Sequence, residues 1–228
     1  HNLEPFWKAY ADNWRLEYNQ ANNGDLYATH GIGPNCQAMN IHRGDKLDYL
    51  VAMSTKSVNG TKIVRENMGE KADTCMHGDQ INTLIRTHKG YTIDMQHNVM
   101  TPQPYNRLFK LTGTKGYATK YPTPEFALSG EALKGTDAPQ MDNLNAHKFM
   151  DAKQKDALMK KYYHPILTEY GEKGHSMGHG GMDYIMDARL VYCLQHGLPL
   201  DIDVYDMAEW CCLAELGALS MDNNWAAV

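Results

Sequence analysis

Strict alternation of apolar and polar side chains over residues 91–99 is the feature that most constrains the fold. The residues on one face are Tyr91, Ile93, Met95, His97 and Val99. A period of two is typical of a β-strand with one buried face. The run follows another strand-like run, residues 80–87, across His88-Lys89-Gly90, and this arrangement predicts a β-hairpin. A hairpin of this kind indicates an antiparallel sheet with one covered face.

The segments around the hairpin predict further strands and several helices. Residues 47–53 and 106–112 are strand-like. Residues 151–163, 182–196 and 204–221 have helical patterns. Residues 118–148 are rich in Pro, Gly, Thr and Asp, which predicts an irregular excursion.

Composition limits the classes of protein to consider. At 228 residues and 43% hydrophobic content, the chain fits one large domain or two small ones. A net charge of −5 without a Lys/Arg-rich run argues against a nucleic-acid partner. No apolar run approaches the roughly 20 residues that a membrane-spanning helix needs, so no membrane-spanning segment is expected. Five cysteines without a CxxC pair do not form a disulfide framework.

A glycine-rich stretch, residues 174–183, surrounds His179 with four glycines. Glycine permits positive φ and close approach of a ligand, and histidine titrates nearest to neutral pH. The pattern is equally compatible with a reactive imidazole and with a glycine-rich helix start that carries an incidental histidine. Asp183 falls in the first turn of the following helix, where the helix dipole favours a carboxylate.

The same stretch raises the question of a metal site. His175, His179 and Asp183 are four residues apart, and on one continuous helix they would present a face able to bind zinc. The intervening glycines disfavour such a helix, because each costs about 1 kcal/mol relative to alanine. The HExxH signature is also absent. Zinc is therefore a minor alternative, and no metal site is expected.

Two further segments are candidates for ligand binding. If residues 27–30 form a helical turn, Tyr27 and His30 share one face, which suits a sugar or another polyol better than a metal. The alternative is a capped turn packed under the core, and residues 31–34 are expected to end it. Tyr105 is a candidate by position, since it lies in a proline-bracketed loop that leads into a strand.

Four motifs in order resemble the C-terminal half of glycoside hydrolase family 109. They are Trp14-Arg15, Leu26-Tyr27-Ala28-Thr29-His30-Gly31, Thr101-Pro102-Gln103-Pro104-Tyr105 and Gly178-His179-Gly180-Gly181-Met182-Asp183. The family consists of NAD-dependent α-N-acetylgalactosaminidases of the Gfo/Idh/MocA oxidoreductase superfamily. The resemblance implies an α+β fold over residues 1–228, with a large, mostly antiparallel sheet and helices on one face.

The resemblance also implies a role for each matching residue. The catalytic acid/base is His179, and the substrate contacts are Arg15, Tyr27, Ala28, Thr29, His30 and Tyr105. The resemblance further implies a reaction in which NAD oxidises the sugar at C3, the group at C1 is eliminated, water adds, and the hydride returns. Met177 departs from the glycine that is usual in this loop, which is expected to stiffen it or to shift His179.

The cofactor would be bound mainly by an N-terminal Rossmann half that is absent from this chain. No G-x-G-x-x-G motif follows a predicted strand, so the chain alone is expected to be inactive. Two alternatives remain open. One is a sugar or polyol NAD(P)-dependent oxidoreductase of the same superfamily, and the other is a non-catalytic carbohydrate-binding or oligomerisation domain. The resemblance further implies a carbohydrate substrate, a homo-oligomer formed through the sheet face, and a bacterial, often exported protein, although the sequence itself leaves the location undetermined.

Overall fold

The computed structural model describes residues 14–68 and 75–228, except for the side chains of residues 15, 16, 67 and 68. Within this range the chain forms two compact units. The first contains the described residues up to Asn106 together with Asp203–Val228, and the second is Arg107–Ile202. The prediction of a single catalytic domain over residues 1–228 stays a prediction.

The helices and strands follow one another in mixed order. The first unit begins with α1 (Trp14–Ala21), α2 (Ala28–Ala38), β1 (Leu47–Ser54), α3 (Asn59–Met68), β2 (Gln80–Thr87) and β3 (Thr92–Asn98). The second contains β4 (Phe109–Gly113), β5 (Gly116–Lys120), β6 (Glu125–Leu128), α4 (Ala152–Tyr162), α5 (Pro165–Gly174), a 3₁₀ turn (Gly178–Gly181) and α6 (Met182–His196). Helix α7 (Val204–Asp222) belongs to the first unit again.

Strands β1, β2 and β3 form an antiparallel sheet in that order. The register places Ile85 opposite Leu50 on one side and Ile93 on the other, so these buried side chains form a continuous row. The predicted hairpin is confirmed. Tyr91 is an exception to the predicted face, because it precedes β3 and is 56% exposed.

Helices cover one face of this sheet, and the other face carries several exposed side chains. Trp210 and Leu213 of α7 pack with Ile32 of α2 against the buried row of the sheet. On the opposite face, Tyr49 and Leu84 are exposed. The predicted α+β class is therefore confirmed, while the described strands form two three-stranded antiparallel sheets instead of one large sheet.

Helix α2 corrects one expectation from the sequence. Residues 31–34 do not end the turn that starts at Ala28, because the helix continues through Pro34 to Ala38. Its buried residues, which include Ile32 and Cys36, pack in the main core. Burial of this face outweighs the local helix-breaking signals, since most helix stability in proteins comes from tertiary packing.

The second unit has its own sheet and a small core. Strands β4, β5 and β6 pair antiparallel. A cluster that includes Leu133, Met150 and Leu158 packs against Phe126 of β6. The irregular excursion predicted for residues 118–148 is therefore partly regular, because β6 and most of β5 lie within it. Among the described helices, none has the length and apolar character needed to cross a bilayer.

Candidate active site

The glycine-rich stretch forms a sharp connection between α5 and α6. Helix α5 ends at Gly174, the 3₁₀ turn covers Gly178–Gly181, and α6 begins at Met182. The predicted break at the glycines is confirmed, so His175, His179 and Asp183 do not share one continuous helix face. Over the described ranges, no group of three His, Cys, Asp or Glu side chains is placed to hold a metal ion.

The surroundings of each glycine in the turn differ, as the position of an added Cβ shows. A Cβ on Gly181 would lie 2.8 Å from the carbonyl carbon of Gly174, so the two backbone segments are in direct contact. A Cβ on Gly178 would collide with the carboxylate of Asp183. A Cβ on Gly180 would meet nothing within 4 Å. The turn is thus packed on one side and open at Gly180, where a ligand can approach the backbone.

His179 and Asp183 form a hydrogen-bonded pair at this turn. His179 Nδ1 lies 2.9 Å from Oδ2 and 3.1 Å from Oδ1 of Asp183. Both side chains are accessible, with 69% of the imidazole and 47% of the carboxylate side chain exposed. When Nδ1–H donates to the carboxylate, Nε2 remains available for proton transfer, which is the arrangement that orients histidine in many acid/base sites.

The pair depends on an unusual backbone conformation. His179 has φ 54° and ψ 38°, in the left-handed region that non-glycine residues rarely adopt. This conformation costs roughly 1–2 kcal/mol, and such strain is concentrated at functional sites. Sequence reasoning did not identify Asp183 as the partner of His179. The spacing of four residues is the available signal, but it indicates a metal-binding face equally well, and the position of Asp183 in the first turn of a helix indicates a cap.

The turn predicted at residues 27–30 is present at the start of α2. Tyr27 is the N-cap residue, and its ring centroid lies 5.0 Å from that of His30. The prediction that the two rings share a face is confirmed. Thr29 is half-buried, whereas Ala28 is 3% exposed and packs in the core, so any ligand contact at that position would involve the backbone.

A buried network holds this turn in place. Asp25 Oδ1 accepts a hydrogen bond of 2.9 Å from the Tyr27 backbone N–H and lies 3.0 Å from His97 Nδ1. His97 contacts the ring of His77 edge-on, at 5.3 Å between centroids. Burial, reinforced by the neighbouring His97, lowers the pKa of His77 to about 4, so that this histidine is neutral at physiological pH. The start of α2 is thereby fixed to the C-terminal end of β3, an edge strand of the first sheet.

The remaining predicted contacts are placed as follows. Tyr105 lies in the loop after β3 and is 42% exposed, as expected for a binding residue on a loop. Arg15 lies in α1, but its side chain is outside the described residues. The turn at residues 27–30 and Tyr105 belong to the first unit, and His179 belongs to the second.

Comparison with solved structures defines the class of fold. The crystal structure of an oxidoreductase domain protein from Kribbella flavida matches with a TM-score of 0.56. The match covers 94% of this chain and 53% of that chain, at 14% sequence identity. The chain therefore has the α+β fold of an oxidoreductase-domain protein.

Comparison with families and relatives defines the family. The family model described as "Glycosyl hydrolase 109, C-terminal domain" matches residues 7–228. Glycosyl hydrolase family 109 protein 3 of Phocaeicola vulgatus is 64% identical over 100% of this chain and 43% of its own length. Glycosyl hydrolase family 109 protein 1 of Bacteroides fragilis is 55% identical over 100% of this chain and 49% of its own length. The chain belongs to glycosyl hydrolase family 109, and it spans about half the length of these curated relatives.

Proposed function

We propose that the protein containing this chain is an NAD-dependent glycosidase that releases terminal N-acetylgalactosamine, with His179 as the catalytic acid/base. Membership of family 109 supports the glycoside hydrolase class. The observation that carries the role of His179 is its hydrogen bond of 2.9 Å to Asp183 in a glycine turn with an open side.

The described residues of this chain do not provide a dinucleotide-binding fold. Such a fold needs parallel strands and a glycine-rich turn from a strand into a helix, whereas the strands of both described sheets pair antiparallel. The NAD site is therefore assigned to a nucleotide-binding region outside this chain. When bound there, NAD⁺ would accept a hydride from C3 of the sugar, which acidifies the proton on C2, and would return the hydride at the end.

His179 supplies two of the proton transfers that this chemistry needs, those at the departing oxygen and at the attacking water. The proton lost from C2 in the elimination goes to solvent and is replaced from solvent when water adds. The Asp183 carboxylate holds Nδ1–H and stabilises the imidazolium form, so that Nε2 can give its proton to the departing glycosidic oxygen. The same nitrogen, once neutral, takes a proton from the water that adds at C1. One water is consumed, one alcohol leaves, and the imidazole returns to its starting state.

Sugar binding is assigned to the first turn of α2 and its neighbours. Tyr27 and His30 place a phenol and an imidazole side by side, with ring centroids 5.0 Å apart, and both groups can form hydrogen bonds with sugar hydroxyls. The Thr29 hydroxyl and the Ala28 backbone lie in the same turn. The assignment of Arg15 and Tyr105 as further contacts depends on the residue-by-residue resemblance to the family.

A stoichiometry assay on the full-length protein tests the proposed function. A glycosidase of this kind releases N-acetylgalactosamine from a glycoside without net formation of NADH, because the hydride returns to the sugar. A sugar or polyol oxidoreductase would accumulate NADH as substrate is consumed. A non-catalytic carbohydrate-binding domain would give neither product, and either of these last two results would overturn the assignment.

The open face of the first sheet is proposed to join copies of this protein in a homo-oligomer. Tyr49, Met53 and Leu84 on this face are 45%, 53% and 56% exposed. Val51 and Leu84 are opposite each other in the register, so the apolar side chains continue from β1 to β2. Burial of such a face against a second copy would remove this apolar surface from water.

A further inference from the structure

Three buried polar side chains lie together in the first unit, and the proposed reaction uses none of them. Asp25, His77 and His97 are 7%, 0% and 9% exposed. Burial of polar groups costs free energy unless they are hydrogen-bonded. A hydrogen-bonded buried network, in turn, restricts its surroundings to one conformation. The segments that this network restricts therefore indicate its role.

Asp25 holds the first turn of α2 through its side chain and its backbone. Its Oδ1 accepts a hydrogen bond of 2.9 Å from the Tyr27 N–H, and its backbone carbonyl accepts one of 3.3 Å from the Ala28 N–H. His97 Nδ1 lies 3.0 Å from the same Oδ1 and donates its proton, because an ionised carboxylate only accepts. The backbone at Tyr27 is therefore attached to an oxygen that His97 holds in place.

The same histidine precedes the loop that carries Tyr105. His97 is the last buried residue of β3, and Asn98 ends the strand. Asn98 Oδ1 accepts hydrogen bonds of 3.2 Å from the Thr101 N–H and 2.8 Å from its hydroxyl, and the Asn98 carbonyl accepts one of 3.2 Å from Gln103 Nε2. His97 thus lies between two segments that carry proposed sugar contacts, the start of α2 and the Tyr105 loop.

His77 connects the pair to α1, the helix that carries Arg15. The His77 N–H donates to the carbonyl of Asn19 at 3.0 Å, and its Nδ1–H donates to the carbonyl of Gly78 at 2.6 Å. The ring lies edge-on against His97. Because Nδ1 carries the proton of this neutral ring, Nε2 is an acceptor, and it has no hydrogen-bond partner in the described part of the chain. An unpaired buried acceptor is costly, so packing alone does not favour histidine at this position.

We propose that the hydrogen-bonded pair of His97 and Asp25 is a positioning element of the sugar site, which fixes the first turn of α2 so that Tyr27 and His30 meet the sugar in one orientation. The proposal rests on the proposed function, because it takes Tyr27 and His30 as sugar contacts. His97 and Asp25 act through this turn and not on the reacting atoms. Loss of the pair should therefore weaken sugar binding more than it slows the chemical step.

Substitution of His97 by leucine in the full-length protein tests this role. Leucine occupies the core position without a donor, and we expect KM for an aryl N-acetylgalactosaminide to rise about five- to tenfold, the effect of one lost hydrogen bond. We expect kcat to stay within about twofold, because the groups that act in the transition state are intact. His97→Asn should restore KM to within about twofold of the wild-type value, since its amide N–H can replace Nδ1–H.

Asp206→Asn is the matched control for a general loss of stability. Asp206 is a carboxylate of the same unit, 1% exposed, and it binds Arg43. Its substitution removes a buried charge without touching the turn at Tyr27, so KM should stay at the wild-type value. An equal rise of KM in Asp206→Asn and His97→Leu would overturn the positioning role, because any loss of stability would then have the same effect.

A double substitution shows whether His97 acts through Tyr27. Tyr27→Phe removes the phenol hydroxyl and should weaken binding of N-acetylgalactosamine, measured by calorimetry. In the His97→Leu background the same change should have a clearly smaller effect, because the ring is already displaced, whereas independent defects would add. Equal effects of Tyr27→Phe in both backgrounds would overturn the proposal, and so would a His97→Asn variant that binds the sugar as weakly as His97→Leu.

The binding measurement also separates this proposal from the proposed function. If the wild-type protein binds N-acetylgalactosamine but hydrolyses no glycoside, the proposed function fails and the binding data still decide the role of the pair. If the wild type binds no N-acetylgalactosamine, or if all variants bind it equally, the positioning role is overturned. His97→Leu leaves Asp25 as an unpaired buried carboxylate, which can prevent folding. In that case His97→Leu combined with Asp25→Asn, which leaves no unpaired charge, replaces it in the same measurements.

Discussion

His179 has a backbone conformation that is costly for a residue with a side chain, and this conformation brings its imidazole to Asp183. The φ of 54° lies within a run of three left-handed residues that ends at Gly181. The two following glycines adopt positive φ without a steric penalty, so they support the turn while His179 carries the strain. Backbone strain is concentrated at functional sites, which supports the role proposed for His179.

Replacement of His179 by alanine should greatly reduce turnover and leave sugar binding nearly intact. General acid/base groups contribute about 10²–10⁴-fold, so we expect kcat of the full-length enzyme to fall by that factor. KM should stay within about threefold, because the imidazole acts mainly in the transition state. His147→Ala, another exposed histidine of the second unit, is the control. Unchanged kcat in His179→Ala would remove this residue from the mechanism.

At the scale of elements, two glycines of α2 should respond oppositely to the same substitution. A Cβ on Gly31 meets only the flexible end of Met95, at 3.5 Å, whereas one on Gly33 would lie 3.0–3.3 Å from three ring atoms of Trp210 in α7. Gly31→Ala should raise the free energy of unfolding by about 0.5–1 kcal/mol through helix propensity. Gly33→Ala should lower it by about 1 kcal/mol through overpacking. Urea denaturation measures both, and equal effects would contradict the packing of α2 on α7.

The attachment of α7 to the segment before β1 should weaken at acid pH. Hydrogen bonds of 2.9 and 2.7 Å from Arg43 lower the pKa of Asp206 from its usual 3.8 to about 2. Because the folded-state pKa is depressed, the stability that this pair contributes is complete above pH 4 and is lost as the pH falls towards 2.

Asp206→Asn isolates this contribution. At pH 6 the free energy of unfolding of the variant should be about 1–3 kcal/mol lower than that of the wild type, because a buried charge-assisted hydrogen bond is lost. The difference should shrink as the pH is lowered from 4 towards 2, where the wild-type carboxylate becomes protonated. Thermal unfolding across this range measures it. A difference between the two proteins that is independent of pH would show that the ion pair does not stabilise α7.

The elements also show what sequence reasoning can and cannot reach. The hairpin was predictable because the period of two along residues 91–99 directly records one buried face. The length of α2 was not, because Pro34 is a local signal for termination whereas the burial of Ile32 is a tertiary effect. The link between His179 and Asp183 required a positive φ at a non-glycine residue, which no sequence pattern specifies. Strands β5 and β6, of five and four residues, were too short to show periodicity among the surrounding turns.

At the scale of the whole molecule, the open sheet face predicts the state of assembly. Leu84→Glu places a charge in the centre of the exposed apolar row and should convert an oligomer into a monomer without altering the fold. Val58→Glu is a matched control, since Val58 is 66% exposed and lies outside the strands of that sheet. Light scattering after size exclusion distinguishes the states. An oligomer that persists in Leu84→Glu would assign the interface to another surface.

We propose that a protein of family 109 uses this chain for proton transfer at the sugar, while NAD accepts a hydride from the sugar and returns it at the end of the reaction. The most direct measurement is turnover of an N-acetylgalactosaminide by the full-length protein in D₂O, with NMR or mass analysis of the released sugar. Because elimination removes the C2 proton and water addition restores it from solvent, the account predicts deuterium at C2 in the product, and product formation about 10²–10⁴-fold slower in His179→Ala. Released N-acetylgalactosamine that carries only protium at C2 would contradict the account, because the glycosidic bond would then have been cleaved without deprotonation at C2.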